Sequence, residues 1–158
     1  MGYPVMLHDG VDLIDCLNCD HIAIFIPDMP GLIATVAASR LMMGEKLNGR
    51  ELQLIRKSTG LKAVDLAQKL DVTPETVSRW ENNKEPMRHE AERSLRLKVL
   101  NILSTRTHVF REDYEALIAL DINPIRPGKW PLMHFHRVKV RDVDKRNVEP
   151  QWETALAA

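Results

Sequence analysis

The sequence GLKAVDLAQKLDVTPETVSRWENNK, residues 60–84, predicts two short helices joined by a tight turn. An apolar stripe at helical spacing marks the first helix and consists of Leu66, Ala67 and Leu70. Thr73 is a favourable N-cap residue for the second helix. Pro74 follows at the first helical position, where its fixed φ suits the helix and its missing N–H costs nothing. The stretch therefore predicts a helix-turn-helix unit.

The second helix of this unit has one apolar and one polar side. Val77 and Trp80, three residues apart, are predicted to face inward. The outward positions are Glu75, Thr76, Ser78 and Arg79, followed along the chain by Asn82 and Lys84. Small and polar side chains at these positions suit a helix that enters a groove.

Residues 52–103 resemble the helix-turn-helix domain of the Cro/repressor (XRE) family. The resemblance is carried by LQLIRKSTGL at 52–61, by LAQKLDVTPETVSRWEN at 66–82 and by the basic segment that follows. It implies a domain of five helices that binds double-stranded DNA. It also implies that Arg56 pairs with Glu81, which would join the first helix of the domain to the end of the recognition helix. Asn48, with Glu51 three residues later, is expected to cap that first helix.

Groove chemistry assigns a role to each exposed residue. Arg79 is expected to donate two hydrogen bonds to guanine, whereas Glu75 can only accept and favours cytosine or adenine. Thr73 lies at a helix N-terminus, where free backbone N–H groups bind phosphate. Backbone contacts, which position the protein without reading sequence, are expected from Lys62, Asn82 and Lys84. The full set of predicted DNA-binding residues is Lys62, Thr73, Glu75, Thr76, Ser78, Arg79, Asn82 and Lys84.

Charge is unevenly distributed along the 158 residues, although the formal total is zero. Residues 1–45 carry one Arg against five Asp and one Glu, whereas residues 46–100 carry twelve Lys and Arg against eight acidic residues. The basic middle is where a phosphate-facing surface is expected. No apolar run reaches the roughly 18–20 residues of a membrane span. The N-terminus does not resemble a signal peptide, so we expect a cytoplasmic protein without a membrane partner.

Three segments are predicted: a small α+β region at 1–45, the helix-turn-helix domain at 46–105, and a C-terminal helix, strand and mobile tail at 106–158. In the first segment, β-like runs at 11–17 and 21–26 precede an almost wholly apolar helix at 32–43 that ends at Gly44. Such a helix needs cover on more than one side. We interpret it as a dimerisation or partner-binding element, with a core helix as the alternative.

The C-terminal segment carries weaker signals. A helix is expected at 111–120, and strand-like alternation runs through 133–140. The charged residues beyond Arg141 are expected to be mobile. The fold class is therefore mainly α: a five-helix Cro/repressor-like helix-turn-helix domain with a small α+β N-terminal region and a short β-like C-terminal extension.

The order of segments in residues 16–105 is similar to that of the zinc-finger/helix-turn-helix antitoxins and regulators of the MqsA (YgiT) type. In those proteins an N-terminal part binds a toxin or a zinc ion. Their zinc site uses two CxxC pairs, but this chain has one, formed by Cys16 and Cys19. A structural zinc needs four ligands, so His8 and His21 would have to complete the site, with His134 and His136 as a more distant option. No firm metal ligand and no cofactor is predicted; zinc at these residues is the minor alternative.

The sequence favours a sequence-specific DNA-binding transcriptional regulator that acts as a homodimer on an inverted-repeat operator and represses its own operon. The alternative is an antitoxin whose N-terminal region neutralises a toxin protein. No Gly-rich phosphate loop, nucleophile elbow or HExxH motif occurs, so we do not expect an enzyme or a catalytic residue. The carboxylates of Asp12, Asp15 and Asp20 are interpreted as solvated surface.

Overall fold

The computed structural model describes residues 4–105, 114–124, 132–141 and 148–154. In chain order the elements are β1 (Val5–His8), β2 (Asp12–Asp15), β3 (Ile22–Phe25), α1 (Met29–Leu41), α2 (Gly49–Thr59), α3 (Ala63–Leu70), α4 (Pro74–Glu81), α5 (His89–Leu103), α6 (Tyr114–Ile118), β4 (Met133–Arg141) and β5 (Val148–Thr154). The described part of the chain is thus mainly helical, as predicted, with strands near both ends. None of the described helices is long and apolar enough to cross a membrane.

Helices α1 to α5 share one apolar core. It is built from the inward side of each helix: Ala34, Ala37, Leu41, Leu52, Ile55, Leu66, Val77, Trp80, Leu95, Val99, Leu100 and Leu103. Helix α2 begins with the expected capping box, because the Asn48 side chain accepts from the Glu51 N–H at 3.1 Å and Glu51 Oε2 accepts from the Asn48 N–H at 2.7 Å. The caps and the apolar spacing together place α3 and α4 against this core.

A three-stranded sheet in the order β1-β4-β5 covers another side of α1. Strand β1 pairs with β4 in parallel, and β4 pairs with β5 antiparallel. Phe135 and Trp152 pack on Leu32 and Val36 of α1 in a second apolar cluster. The buried indole N–H of Trp152 has a hydrogen-bond partner, since it donates to the Asp28 carbonyl at 3.2 Å. The tail beyond residue 141 was predicted to be mobile; its residues 148–154 instead form β5.

Helix α1 differs from its prediction in bounds and in role. Asp28 caps it by accepting from the Gly31 N–H at 3.0 Å, so the helix includes Met29 to Gly31. It ends at Leu41 with Met42 as C-cap, and Gly44 is therefore not its terminal residue. Its side chains from Ala34 to Leu41 are buried against the helical core and the sheet of the same chain. The interpretation of α1 as a dimerisation element was wrong, since its own chain supplies the cover.

Two buried arginines hold the segment between α1 and α2. Arg40 forms a bidentate pair with Glu51 at 2.7 and 3.2 Å. Arg96 of α5 donates to the carbonyls of Leu41 and Glu45 at 2.6 and 2.7 Å and pairs with Glu92 at 2.8 Å. Burial lowers the pKa of Arg96, and the Glu92 carboxylate opposes that shift. These contacts cross the predicted boundary at residue 45/46, so the N-terminal segment and the helical domain share packing.

Strands β2 and β3 form a separate two-stranded ribbon, called the ribbon below. Its register pairs Asp12 with Phe25 and Leu13 with Ile24. Both strands are shorter than predicted, because the residues between them, 16–21, form the connecting turn. In the C-terminal segment, the helix expected at 111–120 is α6 over Tyr114–Ile118, and residues 111–113 lie outside the described residues.

Candidate nucleic-acid interface

The turn between α3 and α4 fixes the direction of α4. Asp71 caps α3 in the left-handed region with φ 56°, and Thr73 starts α4 from an extended backbone. Thr73 Oγ1 accepts from the Thr76 N–H at 3.2 Å, which satisfies one of the free donors of the first turn. On the other side of the helix, Val77 is fully buried and Trp80 is 7% exposed, so the predicted inward face is confirmed. The rest of α4 is left to face solvent.

The predicted DNA-binding residues lie along α4 and at the two adjoining turns. Thr76 is half-buried, and the others are exposed: Lys62, Thr73, Glu75, Ser78, Arg79, Asn82 and Lys84. Lys62 is the residue before α3, where its backbone N–H donates to Asp65 at 3.0 Å. The fold thus brings the set to one helix and its neighbourhood. Which of these side chains contact bases or phosphates stays a prediction.

Arg79 is the most available cation on α4. Its side chain is 63% exposed, and its guanidinium lies 3.8 Å from the Glu85 carboxylate, which is itself 49% exposed. Such a long, solvated ion pair contributes little to stability. Arg79 can therefore leave Glu85 for a guanine edge at small cost, and Glu85 acts as a weak competitor for the same guanidinium.

Glu75 is an ionised acceptor at the N-terminus of α4. Its carboxylate accepts from its own backbone N–H and from the Thr73 hydroxyl, and these bonds lower its pKa. A glutamate carboxylate is ionised at neutral pH, so it can accept from a base but repels phosphate. The same hydroxyl contact means that Thr73 is engaged within the helix terminus before any DNA arrives.

The residues after α4 are ordered by local hydrogen bonds. The Asn82 amide donates to the Ser78 carbonyl at 2.7 Å and points back along the helix. The Lys84 backbone N–H donates to the Arg79 carbonyl at 2.8 Å, while its side chain is exposed. In this arrangement Lys84 is better placed than Asn82 to reach a phosphate, because its donor group has no competing partner in the described residues.

The end of α4 is fastened to α2 by the ion pair that the family resemblance implies. Arg56 Nε and Nη2 donate to the two Glu81 carboxylate oxygens at 2.6 and 3.1 Å. The Arg56 and Glu81 side chains are only 12% and 8% exposed, and the bidentate carboxylate raises the pKa of Arg56. Arg56 Nη1 also donates to the Leu61 carbonyl at 2.9 Å, which fixes the start of α3. One guanidinium therefore sets the position of both helices.

A second tie between α4 and α2 was not predicted. Asn83 adopts a left-handed backbone, φ 54°, and its Oδ1 accepts from the Gly49 N–H at 2.7 Å. A Cβ on Gly49 would lie 2.3 Å from the Glu81 carbonyl oxygen, so only glycine permits this approach of the two helices. Asn is common in the left-handed region, and the Asn82-Asn83 pair after the helix was the sequence signal for this turn.

The four zinc candidates are not brought together. Cys16 and Cys19 are exposed in the ribbon turn, where the Cys19 thiol and nearby backbone N–H groups lower the pKa of Cys16. His8 lies on β1 instead, with its Nε2 2.9 Å from His134 Nδ1 and its ring 4.7 Å from the ring of His136. Across the parts of the chain that the structure describes, no three His, Cys, Asp or Glu side chains are arranged to hold a metal ion. These residues do not fit the zinc site of the MqsA type.

Comparison with known proteins agrees with this geometry. Residues 52–93, which run from α2 into α5, match the helix-turn-helix family model HTH_3. No curated protein and no solved structure matches the chain. The matched residues include the whole α3-turn-α4 unit and both partners of the Arg56–Glu81 pair. Residues 52–93 are therefore a Cro/C1-type (XRE) helix-turn-helix domain, and this domain supports a DNA-binding regulator.

Proposed function

We propose that this regulator binds a specific inverted-repeat operator as a homodimer and represses its own operon. The observation that carries the proposal is α4, whose solvent side presents Arg79 and Glu75 while its other side is buried and clamped. In a helix-turn-helix the second helix lies in the major groove and its N-terminal residues reach base edges. On this geometry Arg79 reads guanine and Glu75 reads a base that presents an amino group.

The hydrogen bonds that hold the C-terminal end of α4, together called the clamp, fix its orientation toward the DNA bases. Two ties, Arg56–Glu81 and Asn83–Gly49, connect the C-terminal end of α4 to α2. A helix held in this way need not lose conformational freedom on binding, so its contacts translate more fully into specificity. We assign Lys84 and Lys62 to phosphate contacts, which orient the domain without reading sequence.

Two copies are needed to reach useful specificity. A single module of this size buries about 600–1,000 Å² on DNA, which is low for a selective site. Two modules related by a two-fold axis read half-sites about one helical turn apart, or a multiple of that spacing. An inverted repeat is the DNA counterpart of that symmetry.

Two alternatives do not enter the proposal. The antitoxin alternative rests on a resemblance whose zinc motif this chain has only in half, and the described residues hold no group of three possible metal ligands. For catalysis, no motif in the sequence supplies a nucleophile or a phosphate loop. We therefore propose that the chain acts by binding DNA alone.

Fluorescence anisotropy with the full chain tests the proposal. The labelled duplex is the DNA upstream of the chain's own gene, titrated at two salt concentrations with and without random-sequence competitor. We expect binding that survives the competitor and saturates at two chains per duplex. Arg79→Ala should narrow the preference for this duplex over random DNA by about 1–3 kcal/mol.

Two results would count against it. Binding that the competitor removes, with only a steep salt dependence left, would show phosphate attraction without autoregulation. A flat titration at both salt concentrations would overturn DNA binding itself.

A further inference from the structure

The ribbon presents an aliphatic surface to solvent. Alternation along its paired strands places Leu13, Ile22 and Ile24 on one side, called the aliphatic face below. These three side chains are 66%, 61% and 70% exposed. Val11, just before β2, is 45% exposed and Leu17 in the turn is 99% exposed. Together these side chains expose apolar area on the order of 500 Å², which is in the range of the largest apolar patch on a typical monomer, and such patches are often functional.

The ribbon has little support from its own chain. Among the described residues its side-chain tie to the body is the Asp12–Arg137 pair at 2.8 Å, which leaves from the side opposite the aliphatic face. A two-stranded ribbon is marginally stable in water unless further strands or a packed layer cover it. On the opposite side of the ribbon Ile14 and Phe25 are 52% and 51% exposed, so the aliphatic face is the more exposed of the two sides.

Charge excludes DNA as that cover. Residues 9–28 contain five Asp and neither Lys nor Arg, so phosphate would be repelled. The aliphatic face itself carries one carboxylate, Asp15, at the turn end of β2. Asp12 is paired with Arg137 and Asp28 caps α1, so these two carboxylates are already engaged within the chain.

We propose that the aliphatic face is the surface through which two copies of this chain associate, an inference that rests on the proposed two-fold operator binding. A two-fold interface uses the same patch on both chains, so the patch must be complementary to itself. When two such faces pack antiparallel, the Leu13–Ile24 pair of one copy meets that of the other at the centre. The two Asp15 carboxylates then lie at opposite ends and do not repel each other closely.

The area of the patch agrees with this occupant. Two patches bury about 1,000 Å² in total, which is the threshold for a biological interface and below the size of a stable one. An interface of this size gives a dimer of modest affinity that an inverted repeat, which binds both copies at once, would strengthen. The ribbon pairs also gain a packed layer, which the described residues of a single chain do not provide.

Oligomeric state in solution is the test, measured by light scattering after gel filtration over a range of concentrations without DNA. The wild-type chain should dimerise, and Ile24→Asp should raise the dimer dissociation constant about a hundred-fold or more, because a carboxylate would be buried at the centre of the interface. Leu13→Asp should act in the same way. The matched control is Ile118→Asp on α6, which changes an isoleucine of similar exposure, 63%, outside the ribbon. It should leave the dimer intact.

The proposal is overturned if the wild-type chain stays monomeric at every concentration, or if Ile24→Asp dimerises as strongly as wild type. Both substituted positions are exposed, and circular dichroism should report unchanged helix content. A duplex with one half-site separates this inference from the proposed function. Ile24→Asp should bind that duplex as well as wild type does, and should lose only the joint binding of two copies to an inverted repeat. Failure of both proteins on every duplex would refute operator binding but leave the solution result to decide the interface.

Discussion

Helix α4 and the ribbon are both exposed, but they differ in what they expose and in how firmly they are held. Helix α4 presents polar side chains, and Arg56 and Asn83 bind its far end to α2. The ribbon presents aliphatic side chains, and among the described residues its side-chain tie to the body is one partly solvated ion pair. A polar surface on a rigid base suits the reading of base edges, whereas an apolar surface on a weak base suits completion by another protein chain. Each prediction below alters one side of this contrast.

Removal of the Arg56–Glu81 ion pair of the clamp should have the largest effect, a loss of stability. Arg56→Ala leaves the Glu81 carboxylate buried without its partner and should reduce the free energy of unfolding by about 3 kcal/mol. Urea denaturation followed by circular dichroism measures it. Arg79→Ala, an exposed arginine on α4, is the matched control and should change stability by less than about 0.5 kcal/mol. Equal losses in the two variants would mean that the clamp does not support the domain.

Loss of Arg79, the residue proposed to contact guanine, should have the next largest effect. Arg79→Ala should weaken binding to the operator by about 1–3 kcal/mol and relax the preference at one base pair. Lys84→Ala should instead weaken all sequences alike and lower the slope of log affinity against log salt by about one. Competition titrations with a panel of single-base operator variants distinguish the two. If Arg79→Ala keeps the base preference, α4 does not read DNA through this residue.

Loss of the Asp12–Arg137 pair, called the tether, should affect the stability of the ribbon alone. Asp12→Asn removes the charge that pairs with Arg137, and because Asp12 is 46% exposed the cost should be at most about 1 kcal/mol. Hydrogen exchange should become faster at the backbone amides of β2 and β3 and stay unchanged in α4. Asp20→Asn removes an exposed carboxylate from the ribbon turn without touching the tether and serves as the control. Faster exchange in α4 would show that the two regions are coupled.

The smallest effect should come from the competitor of Arg79. Glu85→Gln removes the carboxylate that lies 3.8 Å from the guanidinium and should improve operator binding by about 0.5 kcal/mol. The gain should shrink as salt is raised, because the pair is exposed. Glu90→Gln, a neutralised glutamate in the first turn of α5, tests whether loss of any one negative charge gives the same gain.

The helical domain could be predicted from sequence because its signals are local. The start of α2 is marked by Asn48 and Glu51, and the start of α4 by Thr73 and Pro74. The capping hydrogen bonds join residues within a single helical turn. The sheet could not be predicted in this way, since β1 and β4 pair across more than a hundred residues and no short-range pattern records that pairing. The strand at 133–140 could be predicted from its alternating pattern, but the strands that pair with it could not.

Helix α1 shows a different limit of sequence reasoning. An apolar helix has the same pattern whether its own chain or a second chain covers it. Only the structure shows that Phe135 and Trp152, both from the far end of the chain, pack against it. Because α1 is covered by its own chain, the candidate dimer surface is the ribbon that precedes it and not the helix at 32–43. The ribbon had been predicted as strands, but its exposure depends on what the rest of the chain leaves uncovered.

The pairing of β1 with β4 also bears on the order in which the protein can assemble during synthesis. Most of the helical core, from Ala34 to Leu103, can form as soon as α5 has left the ribosome. Strand β1 is made before β4 and must wait for it, and Trp152 covers Leu32 and Val36 only after β5 has been made. A nascent chain would thus carry a formed DNA-reading unit before its sheet is complete, with one apolar side of α1 still open to chaperones.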